Sequence, residues 1–482
     1  AGGRAQGHRG GLPCRIHQAG HGRGAQRGGE RLLPEERLRP PPRLRDAGGK
    51  EDERIQVLSG ELRAGPDRQG APMKILYIST AFPPAGTSTI YTDLAEALAE
   101  RGHEVTVVTG GERRSRAEAA LSSERGCRVL RVRTGNMYDV GLIEKGLSVL
   151  AMPRLMRRAV RRHLAGAGAD LVLFEAPPVT LEGVAAYCAR RFHAPSFLMM
   201  KDIFPQNAVD IGVMREGGLL HRYFRHRERR LYRAADMIGC MSRGNLEYLS
   251  RASGVDGEKL SIFPNTKRVA APAAGDAPPG AREGVRGEYA IPPDKVVFVF
   301  GGNMGRPQGL GFLCRAIIRA EAEAGDAFFV LVGRGTEHRM VEGALAGRRN
   351  CLVLGSLPRD EYERLVAACD VGLISLDHRF TVPNYPSRIL SYMECSMPVL
   401  AATDSSTDFR GLVEDDARCG LWCESRDPGD FVGAVRRLAA SPELRRELGR
   451  NGRAYLEANF SVERSVELLE EAFERTKSHV GG

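Results

Sequence analysis

The 482-residue chain has no stretch of the roughly 18 to 20 consecutive apolar residues that a membrane-spanning helix requires. Its ten cysteines include no Cys-x-x-Cys pair and no Cys and His spacing typical of a zinc site. Cys419 and Cys423 are close enough in sequence to pair or to share a metal, but packing as small interior side chains is the simpler expectation. These absences predict a cytoplasmic protein without a membrane-spanning helix, a metal or a cofactor.

Residues 1–72 contain no Phe, Tyr or Trp and no apolar periodicity, but they are rich in Gly, Arg and Pro. They hold 14 Lys and Arg against 9 Asp and Glu, which gives +5 of the net charge of +10. Arg/Gly tails bind nucleic acid with the help of aromatic side chains that stack on bases, so that function is disfavoured. We expect a disordered or mis-translated extension that begins before the natural first residue, Met73, and no nucleic-acid partner.

From Met73 onward, apolar runs such as KILYIST and EVTVVTG alternate with amphipathic segments. This pattern predicts parallel sheets covered on both faces by helices. An Ala-, Gly- and Pro-rich stretch then separates a first series of such units from a second. The sequence predicts α/β architecture with two Rossmann-like, doubly wound domains that face a cleft. The predicted boundaries are 73–270 for the first domain, 271–290 for a linker, 291–455 for the second domain, and 456–482 for a C-terminal helix that crosses back to the first.

The loop after the first strand, PPAGTST, is not the G-x-G-x-x-G of a dinucleotide-binding domain. A different family resemblance is carried by five segments: KILYISTAFPP, AERGHEVTVVTG, ADMIGCMS, FPNT and VLVGRGTE. They resemble bacterial glycosyltransferases of family four, whose fold is GT-B. The resemblance covers about residues 73–475. Three further segments narrow the resemblance to one branch of that family: KDIFPQNAVDIG, GNMGRPQGL and VPNYPSRILSYMECSMPVL. They resemble the enzymes that add amino-sugar or deoxy-sugar units, including units of the L-fucosamine type, to O-antigen and capsule precursors.

The resemblance implies an N-terminal acceptor domain and a C-terminal domain for a nucleotide-sugar donor, with a UDP-sugar favoured. The implied acceptor is a lipid-pyrophosphate or a saccharide, and related enzymes retain the anomeric configuration. Two basic amphipathic stretches, 153–164 and 219–235, favour peripheral attachment to an anionic membrane surface on the cytoplasmic side. The alternative to membrane attachment is that each stretch forms a helix packed on the domain core, with its basic face in solvent.

The donor diphosphate requires backbone amides and cations that stabilise charge on the leaving phosphate. Gly301 and Gly302 follow a strand, so their bare backbone can approach phosphate oxygens, although a tight turn would also use them. The family's usual Arg and Lys are replaced here by Asn303 and Gln308. The remaining predicted diphosphate ligands are Arg306, Ser387 and Arg388.

The Glu-x7-Glu element of the broader family is missing, because its carboxylates fall on Pro383 and Ser391. Glu394, one helical turn later, is a substitute or a solvated helix residue. We assign Asn384, Ser391 and Glu394 to the donor sugar or ribose by resemblance. The predicted nucleoside ligands are Gly333, Arg334, Leu357 and Pro358.

In the acceptor domain, Lys201 and Asp202 stand where the family often has a His-Asp pair. Asp202 is predicted to orient the acceptor hydroxyl or accept its proton, and Lys201 to hold a phosphate; a loop-capping Asp is the alternative. The predicted acceptor-side residues are Gly86, Thr87, Gln206 and Asn207.

Two other functions remain open from the sequence. A GT-B nucleotide-sugar epimerase would need carboxylates or histidines in the cleft, and few histidines follow strands here. A non-catalytic pseudo-transferase is compatible with the missing Glu-x7-Glu pair. Acceptor-dependent release of a nucleoside diphosphate distinguishes a transferase from both.

Overall fold

The computed structural model describes residues 71–80, 82–84, 86–111, 120–136, 141–270 and 280–480. The predictions for residues 1–70 and for 271–279 lie outside the described residues. Within those ranges, no helix is both long enough and apolar enough to cross a membrane.

The first domain is built on one eight-stranded sheet. Its strands are β1 (Lys74–Ser79), β2 (Glu104–Gly111), β3 (Ala120–Glu124), β4 (Cys127–Arg133), β5 (Leu171–Ala176), β6 (Ser196–Met200), β7 (Met237–Cys240) and β8 (Leu260–Ile262). The order is β3-β4-β2-β1-β5-β6-β7-β8, and all neighbours pair in parallel except β3 and β4. Its helices are α1 (Ile90–Glu100), α2 (Leu142–His163), α3 (Glu182–Phe192), α4 (Gln206–Asp210), α5 (Leu219–Ala234) and α6 (Arg243–Ser253).

The second domain has a six-stranded sheet that is parallel throughout. Its strands are β9 (Val296–Asn303), β10 (Ala327–Arg334), β11 (Cys351–Leu354), β12 (Val371–Ser375), β13 (Val399–Thr403) and β14 (Gly420–Glu424), in the order β11-β10-β9-β12-β13-β14. Its helices are α7 (Ala281–Glu288), α8 (Leu310–Glu323), α9 (His338–Leu345), α10 (Arg359–Ala367), α11 (Ile389–Glu394), α12 (Pro428–Ala440) and α13 (Pro442–Asn459).

Each sheet is buried on both faces. Along β1, Leu76 and Ile78 belong to one apolar cluster, whereas Ile75 and Tyr77 belong to another on the opposite face. This alternation is what a parallel strand between two helical layers requires, because successive side chains point to opposite faces. The predicted doubly wound α/β fold with two Rossmann-like domains is confirmed.

The last helix, α14 (Val462–Val480), leaves the second domain and packs on the first. Val466, Leu469 and Phe473 are buried in the apolar cluster that also contains β1. The crossing helix begins later than the predicted boundary at residue 456. That position lies inside α13, because Leu456 is still buried in the core of the second domain.

The predicted linker, 271–290, is wrong in its second half. Residues 281–288 form α7, which packs on the second domain. Arg286 holds it there: its guanidinium donates to Asp370 Oδ2 at 2.6 Å and to the backbone oxygen of Ala368 at 2.9 Å. These tertiary contacts overcome the Gly-rich composition that suggested a linker.

The strand order reverses between β1 and β5 in the first sheet and between β9 and β12 in the second. Such switch points leave a crevice outside the carboxyl ends of the strands. Side chains that follow these strands are therefore placed to meet a ligand.

Candidate functional site

A cleft of about 660 Å³ lies between the two domains. The first domain lines it with Ser88, Tyr91, Asp93, Lys201, Asp202 and Lys267. The second domain lines it with Gly301, Gly302, Asn303, Gln308, Asn384, Ser387, Arg388 and Ser391. Eight of the residues predicted for the donor diphosphate and sugar thus meet on one wall, and the predicted pair Lys201 and Asp202 lies on the other.

The glycine turn at the end of β9 is set by close packing. A Cβ on Gly301 would lie 1.9 Å from the Tyr362 hydroxyl oxygen, so any other residue would force the Tyr362 ring to move. Gly302 has φ of +118°, a backbone conformation that favours glycine. On the next strand, a Cβ on Gly333 would lie 1.8 Å from the Gly302 carbonyl oxygen. The turn therefore presents bare backbone to the cleft.

Arg388, the residue before α11, is the main cation on this wall. Its guanidinium lies over the Phe300 ring, 4.3 Å from the ring centroid, and its Nη2 donates to Gln308 Oε1 at 2.8 Å. Its Nη1 is buried and has no hydrogen-bond partner among the described residues. Burial lowers the pKa of this guanidinium from its ordinary value. A buried cationic donor without a partner is suited to an anionic ligand.

Other predicted donor residues have structural partners. Asn384 donates from Nδ2 to the Val382 backbone oxygen at 2.9 Å and is held at its backbone by Thr407, so it fixes its own loop beside the cleft. Glu394 does not line the cleft; it pairs with Lys267 and accepts a hydrogen bond from the backbone of residue 270. The prediction that Glu394 contacts the donor is therefore not supported by its position, because its carboxylate joins the two domains instead.

Arg306 also lies apart from Arg388. The sequence led us to expect both to converge on the diphosphate, but Arg306 is exposed and lines a different cavity. The cause is local: residues 306–308 form one turn of 3-10 helix that directs Gln308 and Arg306 to different sides. Convergence of the two arginines was thus a wrong expectation.

The predicted nucleoside residues do not reach the cleft wall. Leu357 packs against the core of the second domain, whereas Pro358 and Arg334 are exposed. Gly333 lies against the backbone of Gly302 on the neighbouring strand. The neighbouring Arg359, which the sequence reasoning missed, does line the cleft and donates to the Ser88 carbonyl oxygen at 3.4 Å.

On the opposite wall, Lys201 and Asp202 follow the central strand β6. Lys201 Nζ lies 5.4 Å from the centroid of the Phe263 ring. Burial lowers the pKa of Lys201 to about 8, against the opposing influence of Glu175 and Asp202. Burial likewise raises the pKa of Asp202 to about 6, although Lys201 opposes this. Both groups therefore titrate near neutrality, as expected of groups that exchange protons or bind anions.

Glu175, on β5 at the switch point, was not singled out from the sequence. It is fully buried and accepts hydrogen bonds from Tyr77, Ser79 and Thr80, including 2.9 Å from the Thr80 amide and 2.8 Å from its hydroxyl. Burial raises its pKa despite these donors. Its signal was a single carboxylate within the otherwise apolar strand LVLFEA.

The predicted acceptor-side residues lie outside the cleft lining. Gly86 and Thr87 precede the wall formed by Ser88 and Tyr91. Gln206 donates to Asp210 within α4 at 2.9 Å, whereas Asn207 Oδ1 is buried without a partner among the described residues. Within the same ranges, no group of three or more His, Cys, Asp or Glu side chains is arranged to hold a metal ion.

Two family descriptions match the chain. Residues 85–266 match "Glycosyl transferase 4-like domain", and residues 295–441 match "Glycosyl transferases group 1". Together the two matches cover both sheet domains of the GT-B fold. The matched regions contain residues of both walls of the cleft, including Asp202 and Arg388.

A probable glycosyltransferase of Pseudomonas aeruginosa, WbjE, is 28% identical over 282 residues, which are 56% of this chain and 66% of that protein, just under two thirds of its length. Sucrose-phosphate synthase of Thermosynechococcus elongatus shares the fold with a TM-score of 0.66 and 20% identity, over 84% of this chain and all of that one. HepE of Anabaena, solved with UDP-glucose, shares it with a TM-score of 0.60 and 16% identity, over 84% of this chain and all of that one.

Proposed function

We propose that the protein transfers an amino or deoxy hexose from a UDP-sugar to a lipid-linked or saccharide acceptor during surface polysaccharide synthesis, with retention of the anomeric configuration. The observation that carries the proposal is the buried, unpartnered Nη1 of Arg388 beside Gly302 in the interdomain cleft. An arginine so placed binds phosphate oxygens with charge-assisted hydrogen bonds. The leaving diphosphate gains negative charge as the glycosidic bond breaks, so this cation stabilises the transition state more than the ground state.

A UDP donor is favoured because HepE, whose fold this chain shares, has been solved with UDP-glucose. The replacement of the family's usual Arg and Lys by Asn303 and Gln308 leaves Arg388 as the principal cation. Gln308 orients it through the 2.8 Å hydrogen bond from Nη2. Gln308 thus positions the Arg388 guanidinium, at a place where the family's usual residue supplies a positive charge.

The acceptor meets the donor at Lys201 and Asp202 in this proposal. Asp202, whose pKa is raised to about 6, is ionised at neutral pH and orients the acceptor hydroxyl by accepting its hydrogen bond. The departing diphosphate takes the proton, as in the retaining enzymes that the sequence resembles. Lys201 faces the same cleft and holds a phosphate of the bound substrates.

A lipid-linked acceptor is supported by an apolar patch on the first domain. Six large side chains of α2, α5 and the loop before α5 are at least 40% exposed: Leu147, Leu150, Val213, Leu219, Leu220 and Tyr223. The two helices are linked through Thr180, which donates to the Val149 carbonyl oxygen at 3.3 Å and accepts from Arg227 at 3.4 Å. Both helices therefore pack against the same turn of the first domain.

The same two helices carry exposed arginines. They are Arg154, Arg157, Arg158, Arg161 and Arg162 on α2, and Arg222, Arg229 and Arg233 on α5. Apolar side chains inserted among lipids, with arginines beside anionic headgroups, favour attachment to an anionic membrane surface. Leu231, on α5, is fully buried in the domain core and does not belong to this patch.

A donor panel tests the proposed function. Thermal unfolding would be recorded with UDP-, GDP- and dTDP-sugars at equal concentration, because a ligand that binds only the folded state raises its stability. We expect UDP-sugars to raise the melting temperature most. No shift with any nucleotide sugar would contradict the donor site. The anomeric configuration of the product, measured by NMR coupling constants, tests retention.

Non-catalytic binding would give the same thermal shifts without turnover. The missing Glu-x7-Glu pair is the observation that keeps this second function in view, because Pro383 and Ser391 occupy its positions. Release of UDP that occurs only when acceptor is present would exclude this non-catalytic function.

A further inference from the structure

Arg306 and Gly309 line a second cavity of about 480 Å³, separate from the donor cleft. They belong to the same turn whose other residues, Asn303 and Gln308, line the cleft. Gly309 is fixed in a left-handed conformation, with φ of +57°, and a Cβ there would lie 3.0 Å from the Asp377 Cα. The turn therefore separates the two cavities rigidly.

The second cavity lies at the N-terminus of α8, a helix of 14 residues. The helix has no side-chain cap and no acidic residue in its first turn. Leu310 and Gly311, at that end, line the cavity, and amides in a first turn have no partner within the helix. The partial positive charge of the helix end is thus unopposed by a capping carboxylate.

Three arginines contribute to the cavity wall. Arg379 forms a two-pronged ion pair with Asp377, at 2.7 and 2.9 Å. Burial opposes ionisation of Asp377, but the hydrogen bonds from Arg379 outweigh it and lower its pKa. The side chain of Arg306 has no partner among the described residues, and Arg315 donates only to the Gly311 carbonyl oxygen of its own helix, at 3.1 Å. With Glu337 also present, the wall carries three positive and two negative side chains.

A buried hydroxyl gives independent support for a ligand. Ser425 lines the cavity, is 1% exposed, and its Oγ has no hydrogen-bond partner among the described residues. Buried polar atoms are almost always paired in folded proteins. A ligand oxygen in the cavity would supply the missing partner.

We propose that this cavity binds a phosphate group of a second ligand, distinct from the donor diphosphate. Arg306, Arg315 and the first-turn amides of α8 donate to its oxygens, and Ser425 donates from its hydroxyl. Two sources supply this chemistry: the phosphate of a lipid-linked acceptor, or free phosphate. The first fits the position of the cavity, since its wall residue Ile211 is two residues from Val213 of the apolar patch.

Calorimetry on the full chain, saturated with UDP to fill the donor site, tests this inference with two probes: inorganic phosphate and geranyl diphosphate. The wild-type protein should bind both. Arg306→Ala and Arg315→Ala should each weaken binding about 10-fold or more, the loss typical of a charge-assisted hydrogen bond. Arg319→Ala is the matched control, because Arg319 lies on the same helix and pairs with Glu323.

Ser425→Ala separates a ligand-binding hydroxyl from a structural one. Removing a hydroxyl that has no protein partner does not destabilise the fold, so weaker phosphate binding with an unchanged melting temperature supports the inference. Tighter binding of geranyl diphosphate than of phosphate assigns the lipid-linked source, and equal binding assigns free phosphate. Absence of binding in the UDP-saturated protein, or equal binding by all variants, would overturn the site. Loss of UDP binding with phosphate binding retained would contradict only the proposed function.

Discussion

Replacing Arg388 with Ala removes a cation that lies beside Gly302 in the donor cleft. The wild-type guanidinium has one buried nitrogen with no partner in the described part of the chain, and another that donates to Gln308 Oε1 at 2.8 Å. The substitution also removes the hydrogen bond to Gln308 and the contact with the Phe300 ring, so we expect the free energy of unfolding without ligand to fall. Affinities are therefore compared on protein whose thermal unfolding shows that it is folded.

Charge-assisted hydrogen bonds contribute roughly 1.5 to 3 kcal/mol. One such bond from Nη1 to a diphosphate oxygen therefore predicts a UDP dissociation constant about 10- to 100-fold weaker in Arg388→Ala. Uridine has no phosphate, so its affinity should stay nearly unchanged. The contrast between UDP and uridine is what assigns the loss to the phosphates.

Isothermal calorimetry with UDP and uridine measures both affinities on the same preparations. Arg319→Ala serves as a control of equal charge change outside the cleft. Arg388→Lys keeps the charge but loses the planar fork above Phe300, so it should restore only part of the affinity. Equal losses for UDP and uridine, or no loss for either, would refute the assignment of Arg388 to the diphosphate.

Three further predictions concern other parts of the molecule. Asp202 is ionised above about pH 6 and Lys201 is protonated below about pH 8, so kcat/KM should rise as the pH passes 6 and fall as it passes 8. Asp202→Asn should remove the acidic limb of this profile, and Lys201→Met should remove the basic limb. A pH profile that neither substitution changes would exclude both roles. Replacing the exposed Arg222 and Arg229 with Glu should release the protein from anionic vesicles in flotation assays without lowering its melting temperature, and undiminished flotation would mean that these arginines only face solvent. Phe473→Ala should lower the free energy of unfolding by about 3 to 5 kcal/mol in urea titrations, because the ring is buried where α14 packs on the first domain, and a loss near zero would contradict that packing.

Arg225 differs from Arg222 and Arg229 because it forms an ion pair with a buried carboxylate. Its Nη1 donates to Glu228 Oε2 at 2.5 Å, and Glu228 is completely buried. Replacing Arg225 would leave a buried carboxylate without its cation and would destabilise the domain. The sequence alone places all three arginines on the same basic helix and does not separate them.

The fold could be predicted because its strands are buried on both faces and appear as apolar runs such as LVLFEA and VVFVFGG. The residues assigned to the donor came mainly from the family resemblance. Gly302 at the end of a strand and Arg388 before a helix line the same cleft, at the edge of the parallel sheet where ligands bind.

The failures depend on contacts that the sequence pattern does not contain. Arg306 was assigned to the diphosphate because it follows the glycine turn, but one turn of 3-10 helix directs it to the second cavity. Residues 281–288 were assigned to a linker because of their composition, yet the buried ion pair of Arg286 with Asp370 holds them as a helix. Glu175 was passed over because a strand with one carboxylate still has the pattern of a buried strand.

Transfer itself is tested by turnover of a UDP-sugar with an extracted lipid-linked acceptor, with released UDP measured in the presence and absence of that acceptor. We predict that UDP release depends on the acceptor, is lost or strongly reduced in Arg388→Ala, and is retained in Arg319→Ala. Release at the same rate without acceptor, or no release with any sugar nucleotide that the protein binds, would contradict the proposal that the cleft between the two domains is a glycosyltransferase active site.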